Sequence, residues 1–338
     1  LNGDGKPDLA VGNTTSQTVS VLLNDGDGTF AAHVDYPVGQ NFGSIALADL
    51  NGDGKPDLAL GTGNTVSVLR NQGGGTFAAA ITYPLTAGGS AISAVDLNGD
   101  GRLDLVVGSN DGFSVGGQSF GNVSVLLNQG GGTFPTAVEY TSSSPSMAIG
   151  TGDLNGDGHP DIVVGDVFTS AVSVLLNQGN GTFAPSVDYP TDSYPDSVVV
   201  ADVNRDGRPD IVLAIDDSSG TTTLNVLINN GDGTFAPKVS YDEIMLGSAV
   251  TVADLNGDGW PDIALAALAD SQGTVLVLLN NGDGTFATPI PFPVGAILAS
   301  ISVADVNGDG RPDLVTVSVD DADPMGGNVY VLMSTCSQ

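Results

Sequence analysis

Asp-Leu-Asn-Gly-Asp-Gly-Lys-Pro-Asp fills residues 49–57. It returns with small changes at Asp96, Asp153, Asp202, Asp254 and Asp305, and a copy without its leading Asp opens the chain at Leu1. The central Asp recurs as Asp4, Asp53, Asp100, Asp157, Asp206, Asp258 and Asp309. A fixed period of about fifty residues marks a solenoid, a propeller or an array.

Each copy offers side-chain oxygens at loop positions 1, 3, 5 and 9. These are Asp49, Asn51, Asp53 and Asp57 in the second repeat, and Asn2, Asp4 and Asp8 in the shortened first. The third and fourth repeats supply Asp96, Asn98, Asp100 and Asp104, then Asp153, Asn155, Asp157 and Asp161. The fifth supplies Asp202, Asn204, Asp206 and Asp210, and the sixth Asp254, Asn256, Asp258 and Asp262. Asp305, Asn307, Asp309 and Asp313 complete the seventh. Position 7 is held by Lys6, Lys55, Arg102, His159, Arg208, Trp260 and Arg311, which share no side-chain chemistry. A backbone carbonyl is therefore the expected donor there, as at the same position of an EF-hand loop. Glycine at position 6 permits the turn that gathers the ligands. An all-oxygen set on a flexible loop suits calcium, with up to seven ions, one per repeat.

The loop is not an EF-hand, which needs a bidentate Glu at position 12 and a helix on each side. Position 12 here is Leu60, Val107, Val164, Leu213, Leu265 or Thr316, inside runs that read as strand. In the second repeat the expected strands a to d cover residues 44–48, 57–61, 66–70 and 79–84. The metal loop joins a to b. An Asn-x-Gly-x-Gly-Thr-Phe turn joins c to d, and its Phe (Phe30, Phe77, Phe134, Phe183, Phe235, Phe286) is expected to plug the space between sheets. Four short antiparallel strands per repeat predict an all-β fold, a seven-bladed β-propeller spanning residues 1–338 as one domain. The repeats open near residues 1, 44, 90, 146, 197, 248 and 300, the first being truncated. A linear solenoid would need polar caps, and both ends here are cut mid-repeat.

The Asp-x-Asn-x-Asp-Gly-x-x-Asp loop followed by Asp-Leu-Ala-Leu-Gly or Asp-Ile-Val-Val-Gly resembles the FG-GAP and VCBS repeat families. Those repeats build the integrin α-chain propeller and many secreted bacterial and fungal proteins. Phe-Gly precedes strand a once, at Phe42–Gly43; Ser marks the place elsewhere, so the closer likeness is to the VCBS type. The first repeat lacks strand a and the last ends after strand c, two strands short of closure. One segment just upstream of Leu1 would supply both, or another copy would donate strands through the unpaired edges.

The chain has 338 residues, 39 acidic against 8 basic, for a formal charge of −31. About half of the acids lie in the loops, and seven calcium ions would bring the balance to about −17. Such a surface excludes electrostatic binding to nucleic acid or anionic membrane. No apolar run is long enough to span a bilayer. The single cysteine, Cys336, allows no internal disulfide. Calcium sites of this kind point to a secreted, extracellular or cell-surface location.

Loop length varies only between b and c and between d and a, short at residues 62–64 but long at 109–121 and 319–328. A protein or carbohydrate ligand is expected on that face. It carries Asp111, Asp166, Asp192, Asp196, Asp216, Asp217, Asp242, Glu243, Asp270, Asp320, Asp321 and Asp323. Tyr36, Tyr83, Tyr140, Tyr189, Tyr241 and Phe292 recur on strand d as packing residues or, alternatively, as sugar platforms, and Trp260 is expected to be exposed. With two histidines, His33 and His159, and no nucleophile–base pair, the chain reads as a non-enzyme. A secreted, calcium-stabilised binding or adhesion module leads. A structural subunit of an extracellular fibre or coat follows, with the propeller part of a polysaccharide-degrading enzyme a weaker third.

Overall fold

Short runs rich in Val, Ile, Leu and Ala alternate with glycine-bearing turns, a pattern that packs side chains on both faces of a sheet and reverses the chain between strands. The computed structural model describes residues 1–40, 42–109, 113–115, 118–166, 168–216, 221–245, 247–269, 272–319 and 327–334. All regular structure there is strand. The fourth repeat shows the unit: Ser146–Gly152, Asp161–Asp166, Ala171–Leu175 and Val187–Pro190 pair in that order as an antiparallel sheet. The fifth and sixth repeats build the same four-stranded sheet, whereas the first and last sheets have three strands. The chain is an all-β propeller.

The expectation of seven separate four-stranded blades is corrected, because the strands form six sheets of three or more strands. The cause is backbone continuity in the second and third repeats. Strands b and c of the second run on as Asp57–Leu69. Its strand d continues into strand a of the third as Ile81–Val95, so the two repeats share one seven-stranded sheet. Gly89 pairs with Gly63 on one side and Ser109 on the other. Gly61 and Gly89 lie so close that a Cβ on either would meet the other's backbone at 3.0 Å. The long 109–121 connection is in part a hairpin, Phe113–Val115 against Gln118–Leu126.

The core sits between successive repeats rather than within one. Six buried apolar clusters occupy the six sequential junctions, for example Val66, Val68, Leu105, Val107 and Phe134 between the second and third. Aromatic residues interlock across the first five of these junctions. Tyr36 meets Phe77 edge-on at 5.4 Å between ring centres, Tyr83 meets Phe134 at 5.2 Å, and the pattern continues through Tyr140–Phe183, Tyr189–Phe235 and Tyr241–Phe286. The strand-d tyrosines are thus packing residues. The first and last repeats meet where Asn24 Nδ2 donates to the Val306 carbonyl at 2.9 Å, which closes the ring.

Candidate metal centre

The nine-residue loop is shaped first by its own amides. At position 1, Asp49 Oδ1 accepts from Gly52 N–H at 2.8 Å and Asp53 N–H at 3.1 Å, while Oδ2 accepts from Gly54 N–H at 2.8 Å. Asp96, Asp153, Asp254 and Asp305 repeat this set. Asp202 keeps the bonds from Asp206 and Gly207. At position 5, Asp53 Oδ1 takes the Lys55 N–H at 3.0 Å, and the equivalent bond reaches Lys6, Arg102, His159, Arg208, Trp260 and Arg311. Gly54 at position 6 has φ +83°, the left-handed turn its lack of a side chain allows. Position 4 is glycine in every copy but one; Arg205 holds the same left-handed conformation at φ 58°.

Position 9 does something sequence spacing did not disclose. Asp57, Asp104, Asp161, Asp210, Asp262 and Asp313 are fully buried. Asp104 Oδ2 accepts from Leu97 N–H in its own loop at 3.0 Å, and Oδ1 from Asn128 N–H in the c–d turn at 2.7 Å. Asp57, Asp161, Asp210 and Asp262 likewise accept from the turn asparagine of their own repeat, and Asp313 from Ser334 N–H after the last strand. That turn asparagine was missed as a structural residue. Asn128 Nδ2 donates to the Leu103 carbonyl at 3.0 Å and to the Leu50 carbonyl of the preceding repeat at 2.7 Å. Asn71, Asn177, Asn229 and Asn280 make the same bond backward to Leu1, Leu97, Leu154 and Val203. Its one visible signal was the constancy of Asn at the head of a turn whose next residue varies.

Position 7 side chains also have a place. Lys6, Lys55, Arg102, His159, Arg208 and Trp260 each lie over the first glycine of the c–d turn in their own repeat. Trp260 is half-buried rather than exposed, packed on Gly282, with the Arg205 guanidinium 5.4 Å from its ring centre.

The donor set suits a hard cation. Burial pushes Asp104, Asp161 and Asp210 up to about 6, and the other two loop carboxylates add to the rise; backbone N–H groups oppose it. Asp57 and Asp262 shift upward for the same first cause. A dication would relieve that crowding. Among the described residues, however, no three acidic, His or Cys side chains converge as a ready-made cluster, since the loop amides engage the carboxylates instead. Calcium, if bound, would be held by positions 1, 3, 5 and 9 and the position 7 carbonyl.

A second feature lies beside the last repeat. A cavity of about 630 Å³ is lined by Ile290, Phe292, Arg311, Leu314, Leu332 and Met333, among others. Phe292 is the sixth-repeat counterpart of the interlocking tyrosines, but it stays 44% exposed and meets no aromatic partner among the described residues. Asp111, Asp217, Asp270, Asp320, Asp321 and Asp323 lie outside the described residues, as does Cys336.

A family model described as FG-GAP-like repeat matches residues 1–60, 49–107, 108–164, 153–213, 206–265 and 254–316. No curated protein sequence matches the chain. Among solved structures, an Agrocybe aegerita lectin described as recognising non-reducing terminal N-acetylglucosamine is 22% identical. It aligns with a TM-score of 0.58 over 98% of this chain and 90% of its own. BBS1N, solved in complex with ARL6DN, is 14% identical at TM-score 0.65, covering 98% of this chain and 88% of its own. The V. cholerae biofilm matrix protein Bap1 is 13% identical at TM-score 0.50, covering 99% and 76%. At these identities the likeness extends to the fold alone. No helix among the described residues is long and apolar enough to cross a membrane.

Proposed function

The chain belongs to the FG-GAP-like repeat family, and from that premise we propose a secreted, calcium-stabilised, non-catalytic binding module that takes a glycan or protein on the face of the b–c and d–a loops. One observation supports the face. Exposed Val34, Ile81, Val138, Val187, Val239 and Ile290 recur at the start of strand d and belong to the repeat pattern. Phe168, Met147 and Tyr194 break that pattern, at 65%, 51% and 38% exposure. All three sit at the b–c and d–a ends of the fourth and fifth repeats, where a rigid scaffold presents variable loops. The Agrocybe lectin makes N-acetylglucosamine-terminated glycans the first probe, and the BBS1N complex makes protein partners the second. Calcium would act in the loops as a structural ion, and its demand for a calcium-rich medium supports secretion.

The test is a glycan array and a protein pull-down with the wild type and with Phe168→Ser/Tyr194→Ser. Lost binding at an unchanged melting temperature is expected. Loss caused instead by changes in the c–d turns, such as Asp232→Ala, would put the ligand on the other face.

The cavity beside Phe292 favours a second reading. Its apolar wall, with the half-exposed Phe292 ring, is a surface that a second chain could cover. A structural subunit of an extracellular matrix would use it, and concentration-dependent assembly in light scattering would move this reading ahead.

A further inference from the structure

At the end of the fourth repeat away from its nine-residue loop, two carboxylates meet one hydroxyl. Ser173 Oγ lies 2.8 Å from Asp166 Oδ2 and 2.8 Å from Asp188 Oδ1. A hydroxyl has one proton to donate, so the second contact sets lone pair against lone pair unless a cation intervenes or one carboxyl carries a proton. The Ser143 hydroxyl donates to Asp188 Oδ2, and Ser143 N–H points to Ser173 Oγ at 3.4 Å. Asp166 is fully buried, and its Oδ1 has no hydrogen-bond partner. No Lys, Arg or His pairs with Asp166 or Asp188 among the described residues.

Other repeats show what this place ordinarily holds. Asn13 stands at the position of Asp166 in the first repeat and donates to Ser20 at 2.7 Å; Thr62 stands there in the second, 2.8 Å from Ser67. In the third repeat a single carboxylate, Glu139, accepts from Ser124 at 2.8 Å. Basic side chains attend the acid in the first and fifth repeats. His33 lies 2.9 Å from Asp35, and Lys238 Nζ bonds Asp192, which also accepts from Asn225 at 2.7 Å and Ser240 at 2.6 Å. In the fourth repeat the position of His33 and Lys238 falls to Ser186, which has no charge.

We infer that Asp166, Asp188, Ser173 and Ser143 form a site for one hard cation, separate from the nine-residue loops. The cation supplies the charge that Lys238 supplies in the fifth repeat. Every donor is oxygen, which suits calcium, magnesium or sodium, and a dication balances both carboxylates. The inference does not depend on calcium in the loops.

The test is ion stoichiometry by native mass spectrometry of the full chain, equilibrated with calcium chloride and desalted. Wild type, Asp166→Asn and Ser186→Lys are compared. Each variant is expected to hold one calcium fewer than the wild type, and Ser186→Lys to melt higher than the wild type in chelator. If Asp166→Asn fails to fold, Asp166→Thr, the second repeat's residue, replaces it. Equal counts in all three overturn the site and leave a shared proton as the bridge. The loops contribute equally to every protein; if they bind nothing, the wild type holds one ion and the variants none.

Discussion

The six junctions between successive repeats and the one between the last and the first are held by different means. A sequential junction such as that between the second and third combines an apolar cluster, the Tyr83–Phe134 pair and the Asn128 bond to Leu50. At the closing junction the described residues retain the Asn24 bond to Val306 but form no buried apolar cluster. The repeat thus has two layers of cohesion. Among the described residues asparagine staples join loop to loop at six junctions, while the junction of the sixth and seventh repeats shows an apolar cluster without such a staple.

Calcium removal is the broadest test of the polar layer. At calcium ~100 times the dissociation constant each site adds ~2.7 kcal/mol, so chelation is expected to lower the melting temperature by more than roughly 10 °C. A melt indifferent to chelator ends the calcium reading. Phe134→Ala removes the apolar layer at one sequential junction, where the ring is 1% exposed, and is expected to cost about 3–5 kcal/mol in urea unfolding. Asn128→Ala strips a staple and strands two carbonyls, for about 2–3 kcal/mol. Asn24→Ala should act more locally, speeding amide exchange in the first and seventh repeats while the others keep their protection; uniform acceleration would mean that closure governs the whole ring.

In chelator, pH adds a further contrast. Asp104, Asp161 and Asp210 hold their protons more tightly folded, to about 6, than at the ordinary 3.8 of an unfolded chain. The folded form therefore binds more protons across that window, and its stability falls as pH rises from about 4 to about 6 and stays low above it. Calcium should flatten the profile, and a chelated protein more stable at neutral than at mildly acid pH contradicts the assignment. The smallest effect is expected from Phe292→Ser, within about 0.5 kcal/mol because the ring is half exposed. Its readout is weaker self-association in light scattering.

Much of this architecture was legible in local chemistry. The acidic loop, its flanking β-branched runs and the constant Gly-Thr-Phe turn each repeat within a few residues, and short-range spacing is what a linear reading resolves. Where position 9 points was not legible. Asp104 has the composition of a metal ligand, yet its oxygens meet amides 7 and 24 residues away, one of them across the repeat. The same limit hid Asn128, whose partner Leu50 is 78 residues back. Strand d tyrosines stood open between ligand platform and packing until Phe134 was seen against Tyr83.

By itself, then, the sequence determined the period, the all-β class and the oxygen-rich loops, because glycine conformation, side-chain alternation and carboxylate spacing act over a few bonds. Only the tertiary structure decided that two repeats merge in one sheet, that the loops brace neighbouring turns, and that Asp166 and Asp188 share a hydroxyl. Those outcomes depend on which distant backbones come within hydrogen-bond reach. Gly61 against Gly89 settles the first: with no side chain on either, the backbones of the two repeats approach closely enough to share one sheet.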